Sequence, residues 1–372
     1  MNVTLALTSA RRTCNALVRL VDENPDNDIW SNFRIEGRSR TVTISAAANQ
    51  QAAAATVRLA DASAASDGCA LLPARLFTGL LSSLAGDAVN IAVDGRHASV
   101  TSDGYRAEMH LVSAEKYPSL PHQKHIDPAI HLRTRDLATA LRQVLFAAAG
   151  SRGGALHGVR VRRNGAELQI AATDGMRLAS TALGVATTED DPIDALIPAS
   201  ALRGLQSLLS GQDTESLQLT IDGSWLLCLC GDLAFSARRM QDALHDGLLR
   251  AGVGAPRTQA RVDRVVLLDA VERAALLAET EHQSITLKLG NRGIRLESER
   301  DPLGSSAEDI AADIRGPEVA VCVTGSYIQD VCRALDAQAL LVSVERPDSP
   351  VSIRAAEDDT YQYIVAPRLR AT

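Results

Sequence analysis

The chain has 372 residues with 46% hydrophobic and 22% charged side chains, a composition typical of a folded protein of two or three domains. It lacks a stretch of about 18 uninterrupted apolar residues, and residues 1–10 lack the basic and apolar regions of a secretory signal, which predicts a cytoplasmic protein without membrane segments. The formal net charge of −7 excludes a protein that coats nucleic acid through an overall basic surface, because such binding depends on contacts with many phosphates.

The first third of the chain predicts two helices and several strands. A strand over residues 3–7 precedes an amphipathic helix over about residues 8–22, in which apolar residues recur at helical spacing. A second helical segment follows Pro73 and runs to Ser82. The next strand has apolar residues at 89, 91 and 93 and ends at Asp94-Gly95. This dipeptide predicts a hairpin, because the turn needs positive φ angles.

The middle third repeats this order. A strand over residues 130–133 and a helix over about residues 135–149 come first, and a strand pair over 158–163 and 167–172 turns at Asn164-Gly165. The segment 73–82 returns as residues 198–207, and another alternating strand ends at Asp222-Gly223. We expect Cys228 and Cys230 to share one face of a strand as reduced core thiols.

The last third is a weaker copy of the same unit. It has a strand over 260–262, a helix over about residues 264–278, a helical segment over 327–335 and a strand over 340–344. The threefold repeat predicts an α+β protein of three domains over residues 1–122, 126–252 and 258–372, each with two helices packed on antiparallel sheets. Such a layout is typical of a binding scaffold and not of a catalyst.

The sequence predicts no catalytic or metal site. It contains no Gly-x-Ser-x-Gly elbow, no Gly-x-x-x-x-Gly-Lys-Ser/Thr loop and no His-Glu-x-x-His motif. His122 and His125 lie in a predicted linker, where histidines are more often solvated than bound to metal. Asp174 is expected to accept hydrogen bonds from nearby backbone in a turn. We therefore expect no cofactor and no enzymatic activity.

Three motifs carry a resemblance to a known family. Residues 173–179, Thr-Asp-Gly-Met-Arg-Leu-Ala, resemble the Ala-Thr-Asp-Gly-His-Arg-Leu-Ala signature of bacterial DNA polymerase III β subunits, the sliding clamps. Residues 116–120 resemble the Phe-Pro-x-Leu that closes the first domain of that family, and residues 363–367 resemble its Tyr-Val-Val-Met-Pro near the C-terminal end. The three motifs span the chain in register with the triple repeat.

The resemblance implies a ring. Two copies of such a chain join head to tail as a homodimer of six clamp-type domains, and their helices line a hole wide enough for duplex DNA. A closed ring holds DNA topologically and without regard to sequence, which reconciles an acidic protein with a DNA partner. The implied protein partners are the replicative and other DNA polymerases, an ATP-dependent clamp loader and repair proteins, all bound through short hydrophobic peptide motifs.

Basic residues on the predicted helices are the expected DNA-facing groups. They are Arg11, Arg12, Arg19, Arg75, Arg135, Arg142, Arg152 and Arg203. The alternative interpretation is that these arginines only solvate the helix faces. In the third domain Arg264, Arg273 and Arg333 are offset by acidic residues, and the loop over 22–28 is acidic where relatives tend to carry a basic residue. Both departures predict a looser grip on DNA.

The resemblance also implies a hydrophobic peptide cleft between the second and third domains. Carried over by position, its residues are Leu156, Thr173, Gly175, Met176, Arg177, Leu178, Leu244, His245, Leu248, Ile364, Ala366 and Arg368. Met176 replaces the usual histidine, His245 a proline, and Ala366 and Arg368 replace common methionines, so the motif preference is open. The alternative interpretation places Met176 and Leu178 in the core.

For the ring interface, the resemblance implies that a leucine pair on a helix of the third domain, Leu276 and Leu277, meets Ala107 and Met109 on an edge strand of the first. Both leucines could equally be core residues. Three hypotheses remain open at this stage. The leading one is a processivity clamp, and the others are a diverged clamp paralogue for a specialised polymerase, repair or antibiotic resistance, and a monomeric peptide-binding scaffold that never encircles DNA.

Overall fold

The computed structural model describes residues 1–21, 29–38, 41–47, 53–117, 130–150, 153–187, 192–210, 214–249, 255–279 and 283–368. Within these ranges the helices are α1 (Leu7–Leu17), α2 (Ala74–Ser83), α3 (Thr134–Val144), α4 (Ala199–Leu209), α5 (Asp246–Leu249), α6 (Arg264–Leu276) and α7 (Gly325–Ala334). The fold is α+β, and two helices of ten or more residues fall in each third of the chain, as the repeat predicts.

The described strands divide evenly among the three sequence repeats. The first repeat contains β1 (Asn2–Ala6), β2 (Asn32–Arg38), β3 (Thr41–Ala47), β4 (Ala53–Leu59), β5 (Ala62–Ser66), β6 (Gly68–Pro73), β7 (Ala88–Asp94), β8 (His97–Ser102) and β9 (Tyr105–His110). The second contains β10 (Ile130–Arg133), β11 (Gly158–Asn164), β12 (Glu167–Thr173), β13 (Arg177–Gly184), β14 (Ala186–Thr187), β15 (Ile193–Pro198), β16 (Ser216–Asp222), β17 (Trp225–Cys230) and β18 (Leu233–Arg238). The third contains β19 (Thr258–Asp263), β20 (Ser284–Gly290), β21 (Gly293–Arg300), β22 (Gly304–Ile310), β23 (Ala312–Arg315), β24 (Val319–Thr324), β25 (Ala339–Val344), β26 (Val351–Ala355) and β27 (Tyr361–Val365).

The predicted hairpins are confirmed. Asp94 pairs with His97 across the first turn, and Asp222 pairs with Trp225 across the second. The turn between β11 and β12 carries Gly165 at φ +56°, a conformation that glycine adopts without steric cost. On β17, Cys228 and Cys230 are both fully buried, as their spacing predicts.

The first helix of each repeat ends earlier than its apolar periodicity predicts. Helix α1 ends at Leu17 and continues as a 3₁₀ turn over Val18–Leu20, and α3 ends at Val144 before a 3₁₀ turn over Leu145–Ala147. The tighter turns keep Leu20 and Leu145 buried, which explains why the apolar spacing continues past the helix. Helix α6 ends at Leu276, and the Asp263 carboxylate caps its start by accepting from the amides of Val265 and Val266.

The chain forms two compact units. Unit 1 comprises residues 1–138, 164–166 and 184–240, and unit 2 comprises residues 139–163, 167–183 and 241–372. In unit 1, one sheet has the order β5-β1-β7-β8-β9, and a larger one runs β14-β10-β16-β17-β18-β4-β3-β2-β6. The larger sheet joins the first and second repeats, because β18 pairs with β4 from Leu233↔Val57 to Ala237↔Ala53.

Unit 2 joins the second and third repeats in the same way. Its larger sheet includes the order β11-β12-β13-β27-β26-β25-β19-β23, and a four-stranded sheet runs β22-β21-β20-β24. Strand β13 pairs with β27, with Leu178 opposite Ile364. The two most specific sequence motifs of the chain, at 173–179 and 363–367, therefore lie on neighbouring strands. Helices also pack across repeats, α1 against α4 in unit 1, while α6 packs on α7 in unit 2.

Candidate functional site

The turn that joins β12 to β13 is shaped by its own polar side chains. The Asp174 Oδ1 atom accepts hydrogen bonds of 2.9 Å from the backbone amides of Met176 and Arg177. The Thr173 hydroxyl accepts from the Gly175 amide at 3.0 Å and donates to the Arg177 carbonyl at 2.6 Å. Gly175 has φ +90°, which side chains rarely tolerate. The expected role of Asp174 as a turn carboxylate is confirmed.

The guanidinium of Arg177 contacts several other residues of unit 2. Its side chain is only 11% exposed, and it lies 2.9 Å from Asp174 through Nε and 2.5 Å from Asp330 through Nη1. Its Nη2 atom donates to the Phe146 carbonyl at 2.6 Å. The central carbon of the guanidinium, Cζ, lies 4.3 Å from the centre of the Tyr327 ring. Two carboxylates and an aromatic face therefore stabilise one largely buried cation.

Burial and charge act in opposite directions on this guanidinium. Burial lowers the pKa of Arg177, but Tyr363, Asp330 and Asp174 outweigh it and raise that pKa above its ordinary value. Tyr363 on β27 is fully buried, donates its hydroxyl to the Tyr327 carbonyl at 3.1 Å, and has a pKa raised by burial. We call these residues the Arg177 cluster: Arg177, Asp174, Asp330, Phe146, Tyr327 and Tyr363.

Five members of the Arg177 cluster are absent from the predicted cleft residues, and one of them, Asp174, was predicted only as a turn carboxylate. Phe146 follows α3, Tyr327 and Asp330 lie on α7, and Tyr363 belongs to the C-terminal motif. The spacing of Tyr327 and Asp330 indicates that they share one face of a helix. That signal alone does not show that the face meets Arg177, because the contact depends on the pairing of β13 with β27.

A small surface patch lies over the turn. Met176 is 44% exposed, and its carbonyl accepts from the Ala366 amide at 2.8 Å. A methyl group of Leu156 lies against Gly175, where an added Cβ would be 3.7 Å away. Leu178 and Ile364 pair on the neighbouring strands and are buried. Met176 is therefore a surface residue, whereas Leu178 is part of the core.

The segment after the second repeat reaches the same part of unit 2. Helix α5 packs beside β12, the strand that ends at Thr173, and Arg160 on β11 forms an ion pair with Asp246 at the start of α5. Just before it, Leu244 is buried and His245 is exposed. The Leu248 side chain lies outside the described residues. The structure thus brings this segment to the strand that carries the turn.

Two helices of unit 1 bring predicted DNA-facing arginines together. A groove of about 850 Å³ between α1 and α4 is lined by Arg12, Arg19 and Arg203. Its remaining lining is polar or small and includes Asn15, Ser200, Gln206, Ser207 and Ser210. Burial lowers the pKa of Arg203 from its ordinary value. Such a cation-rich groove with hydroxyl and amide donors is chemically suited to phosphate groups.

The other predicted arginines differ in their surroundings. Arg75 on α2 and Arg135 on α3 are exposed. Arg11 instead donates to the carbonyls of Leu81 and Leu84 at the end of α2. Arg142 forms an ion pair with Asp336 in unit 2, where Arg142 keeps the pKa of the Asp336 carboxyl below its ordinary value. Arg152 lies outside the described residues, as does the acidic loop over 22–28.

The arginines on the helices of the third repeat all contact groups of the protein itself. Arg264 donates to the carbonyls of Ala337 and Cys332 at 2.9 and 3.0 Å. Arg273 makes two hydrogen bonds with Glu308, of 2.9 and 2.6 Å. Arg333 pairs with Glu272 at 2.7 Å. The charge balance predicted from the sequence therefore has a structural basis in neighbouring carboxylates and carbonyls.

The four predicted interface residues occupy different environments. Strand β9 is at the edge of its sheet, and on it Ala107 is half-buried while Met109 is only 7% exposed. Leu276 at the end of α6 is 75% exposed, and Leu277 is half-buried. An exposed leucine and an open sheet edge are both suited to association, whereas Met109 packs inside its own domain.

Among the described residues, no group of three or more His, Cys, Asp or Glu side chains is arranged to hold a metal ion. His122 and His125 fall in a segment that the structure does not describe. The helices within the described ranges are all too short or too polar to cross a membrane.

Comparison with known protein families agrees with the three repeats. Three family models match, described as the N-terminal domain of the DNA polymerase III beta subunit at residues 4–121, the central domain at 131–243 and the C-terminal domain at 255–369. Together these models cover most of the chain.

Individual relatives agree over the full length. The beta sliding clamp of Synechococcus elongatus is 27% identical over 377 residues, which covers 99% of this chain and 96% of the relative. The crystal structure of the DNA polymerase III beta subunit from Thermotoga maritima superposes with a TM-score of 0.89 at 18% identity, over 100% of both chains. The DNA polymerase sliding clamp from Bacillus subtilis gives a TM-score of 0.88 at 22% identity, again over 100% of both chains.

Proposed function

Because the chain belongs to the DNA polymerase III beta subunit family, the beta sliding clamps, we propose that it encircles duplex DNA and tethers a DNA polymerase for processive synthesis. The observation that carries the proposal is the succession of three clamp domains along the chain. We place these domains at residues 1–122, 126–252 and 258–372. Two chains would close head to tail into a ring of six domains.

A ring explains how an acidic protein could hold an acidic polymer. A topological link needs no strong attraction to any one phosphate, so a formal net charge of −7 is compatible with it. Local attraction would come from the groove between α1 and α4, through Arg12, Arg19 and Arg203. Arg75 and Arg135 would also face DNA. Arg11 and Arg142 would act mainly by fixing the helices, because their guanidinium groups already contact carbonyls or a carboxylate.

The peptide site of the proposed clamp lies over the β12–β13 turn. Met176 offers an exposed apolar side chain beside Ala366, and Leu156 packs against the glycine of the turn. The Arg177 cluster would act beneath them as a rigid support. Polymerases, the clamp loader and repair proteins would bind here through short hydrophobic motifs, the usual form of recognition for a groove with few polar anchors.

The ring would close through the edge strand β9 and the end of α6. Leu276 would supply an exposed apolar side chain to the partner subunit, and β9, whose outer edge pairs with no strand among the described residues, would supply backbone groups. Met109 would support the strand from inside the domain. We propose that Ala107 and Leu277, both half-buried, lie at the margin of this contact.

We propose that the protein is not an enzyme and that it acts in the cytoplasm. The carboxylate best placed to suggest catalysis, that of Asp174, accepts two backbone hydrogen bonds and one from Arg177, which leaves little capacity to act as a base.

Retention on circular DNA tests the ring directly. The protein would be loaded with a clamp loader and ATP onto nicked circular DNA and separated by gel filtration, before and after linearisation of the DNA. We expect co-elution with the circle and loss after linearisation, because only a topological link depends on closed ends. Equal retention on both forms, or a monomer in sedimentation at micromolar concentration, would contradict the proposal.

A second candidate is a diverged clamp that serves a specialised polymerase, repair or antibiotic resistance. Met176, Ala366 and Arg368 favour it, because they replace the side chains that the family usually places there. A hydrophobic polymerase-tail peptide would be titrated against the natural protein and against Met176→His. Tight binding to the natural protein that does not change on substitution would exclude altered preference at this position.

A further inference from the structure

The proposed peptide site contains two arginines in contrasting states. Arg177 is 11% exposed and lies within 3 Å of two carboxylates. Arg368 is half-buried, and none of the described carboxylates lies within ion-pair distance of its guanidinium, which also makes no side-chain hydrogen bond to a described residue. The charge of Arg177 is therefore balanced by carboxylates of unit 2, whereas the charge of Arg368 is available to a ligand.

The backbone places Arg368 beside the exposed patch. The Ala366 amide donates to the Met176 carbonyl at 2.8 Å, and the Arg368 amide donates to the Cys322 carbonyl at 2.8 Å. Residues 366–368 thus run from the β12–β13 turn to β24, whose last residue precedes α7 and Tyr327. We call Met176, Ala366, Tyr327 and Arg368 the 366–368 surface. It combines the exposed thioether of Met176, the methyl group of Ala366, the half-buried Tyr327 and the cation of Arg368.

The electrostatics of Tyr327 support this placement. Burial and Asp174 raise the pKa of the Tyr327 hydroxyl, whereas the charges of Arg177 and Arg368 act against that rise. The field of Arg368 thus reaches the ring that stacks on Arg177. Asp174 and Asp330 both pair with Arg177, so these three groups and Arg368 are formally neutral together. The guanidinium of Arg368 is the member of this set that has no carboxylate within ion-pair distance among the described residues.

We propose that the 366–368 surface selects an acidic hydrophobic peptide, with an apolar side chain against Met176 and Ala366 and a carboxylate on the Arg368 guanidinium. The inference rests on the proposed peptide site and adds the chemical class of its ligand. A guanidinium binds a carboxylate through two parallel hydrogen bonds, and apolar neighbours strengthen such a contact by excluding water. A lysine at the same peptide position would be repelled.

Peptide binding to the full-length protein tests the selection. Fluorescein-labelled peptides with a constant hydrophobic part would carry Asp, Asn or Lys at one position, and their affinities would be measured by anisotropy. We expect the Asp peptide to bind about fivefold more tightly than the Asn peptide, the range of a partly exposed ion pair, and the Lys peptide to bind weakest. Raising the salt concentration should reduce the Asp preference.

Variants assign the preference to Arg368. Arg368→Met should remove the preference for Asp while keeping affinity for the hydrophobic part, and Arg368→Glu should reverse it in favour of Lys. Arg292→Met is the matched control, because Arg292 is exposed in the β20–β21 turn and outside the 366–368 surface. Thermal unfolding of each variant would verify folding, and Arg368→Gln provides a second neutral side chain if Arg368→Met is unstable.

The outcomes separate this inference from the proposed function. Equal affinities for the Asp, Asn and Lys peptides would overturn the selection by charge but leave the peptide site intact. Binding of no peptide, with retention on circular DNA preserved, would overturn the peptide site and leave the ring. Capture of a single-stranded oligonucleotide that depends on Arg368, without any peptide preference, would also overturn the inference, because the cation would then serve nucleic acid.

Discussion

The Nη1 atom of Arg177 lies 2.5 Å from Oδ2 of Asp330, and this ion pair joins the first residue of β13 to helix α7. It ties the signature turn of the second repeat to a helix of the third within unit 2. In the proposed peptide site, this pair would support the surface from beneath and would not be part of it.

Removal of Asp330 should weaken unit 2. In Asp330→Asn the largely buried guanidinium of Arg177 keeps only Asp174 as a counter-charge. We expect the free energy of unfolding to fall by about 1 to 2 kcal/mol, less than the ~3–5 kcal/mol of a fully buried pair, because the Asp330 side chain is 35% exposed. Guanidinium chloride unfolding followed by circular dichroism would measure it.

The control for this change is Asp309→Asn, which breaks an exposed pair with Arg295 in the same unit. We expect a clearly smaller loss of stability, because ion pairs between exposed side chains contribute little. Equal losses in the two variants would show that the Arg177 cluster does not stabilise the fold more than a surface pair does.

The groove between α1 and α4 should contribute to DNA binding through charge. The double variant Arg12→Ala with Arg203→Ala removes two cations from the groove. We expect weaker binding to duplex DNA and a salt dependence whose slope falls by about 2, close to one unit for each lost phosphate contact. Titration of a labelled duplex at several salt concentrations would measure it.

Arg142→Ala is the matched comparison for the groove, because this arginine lies on α3, outside the groove lining, and pairs with Asp336. Its loss should change the salt slope by clearly less than one unit. A slope that falls as much for Arg142→Ala as for each groove arginine would contradict the assignment of DNA contact to the groove.

The contact of Arg273 with Glu308 predicts a pH effect on stability. Arg273 holds the pKa of Glu308 below its usual value of 4.5 through hydrogen bonds, so the folded state binds the proton less readily than the unfolded state. The resulting stabilisation is present above pH 4.5 and is lost as the pH falls through the depressed pKa. Glu308→Gln should therefore flatten the decline in stability below pH 4.5.

The measurement is the midpoint of urea unfolding between pH 3 and pH 7. The control is Glu299→Gln, which removes an exposed carboxylate on β21 that makes no ion pair among the described residues. If the unfolding midpoint of both variants falls with decreasing pH as much as that of the natural protein, the pair of Glu308 with Arg273 does not contribute to the pH dependence of stability.

Substitution by lysine should have different effects at Leu276 and at Met109, the two larger apolar residues of the predicted interface that differ most in exposure. Leu276→Lys places a cation on a side chain that is 75% exposed, so the monomer should keep its stability and lose its partner. Met109→Lys would bury a cation in the domain and should instead unfold it. Analytical ultracentrifugation and thermal unfolding distinguish the two results. A Leu276→Lys variant that remains dimeric at micromolar concentration would remove this leucine from the interface.

Local signals in the sequence explain which parts of the fold could be predicted. Hairpins were predictable because Asp94-Gly95 and Asp222-Gly223 encode their turns locally. The ends of α1 and α3 were not, because buried Leu20 and Leu145 continue the helical spacing through a 3₁₀ turn. Helix propensity does not distinguish an α-helical turn from a 3₁₀ turn when the same face of the segment stays buried.

The candidate site was predictable only in part for a similar reason. The turn over 173–177 could be predicted from its residues, since Thr173, Asp174 and Gly175 act within five positions of the chain. Asp330 was missed because its contact with Arg177 spans 153 residues and depends on the pairing of β13 with β27. Phe146 was missed because it contributes its backbone carbonyl, a group that every residue type has. The unsatisfied state of Arg368 is likewise a property of its surroundings and not of its own residue type.

The pairing of β18 with β4 has a consequence for any attempt to divide the molecule. This pairing and that of β13 with β27 continue a sheet from one repeat into the next, so the last strands of the second and third repeats, β18 and β27, pair with a strand of the preceding repeat. Cleavage by a protease or a designed stop codon at a repeat boundary would remove one partner of such a pair and leave the other strand as a bare edge, ready to pair with another molecule. A single repeat produced alone should therefore aggregate, and the smallest well-behaved fragment should contain both partners of a shared sheet.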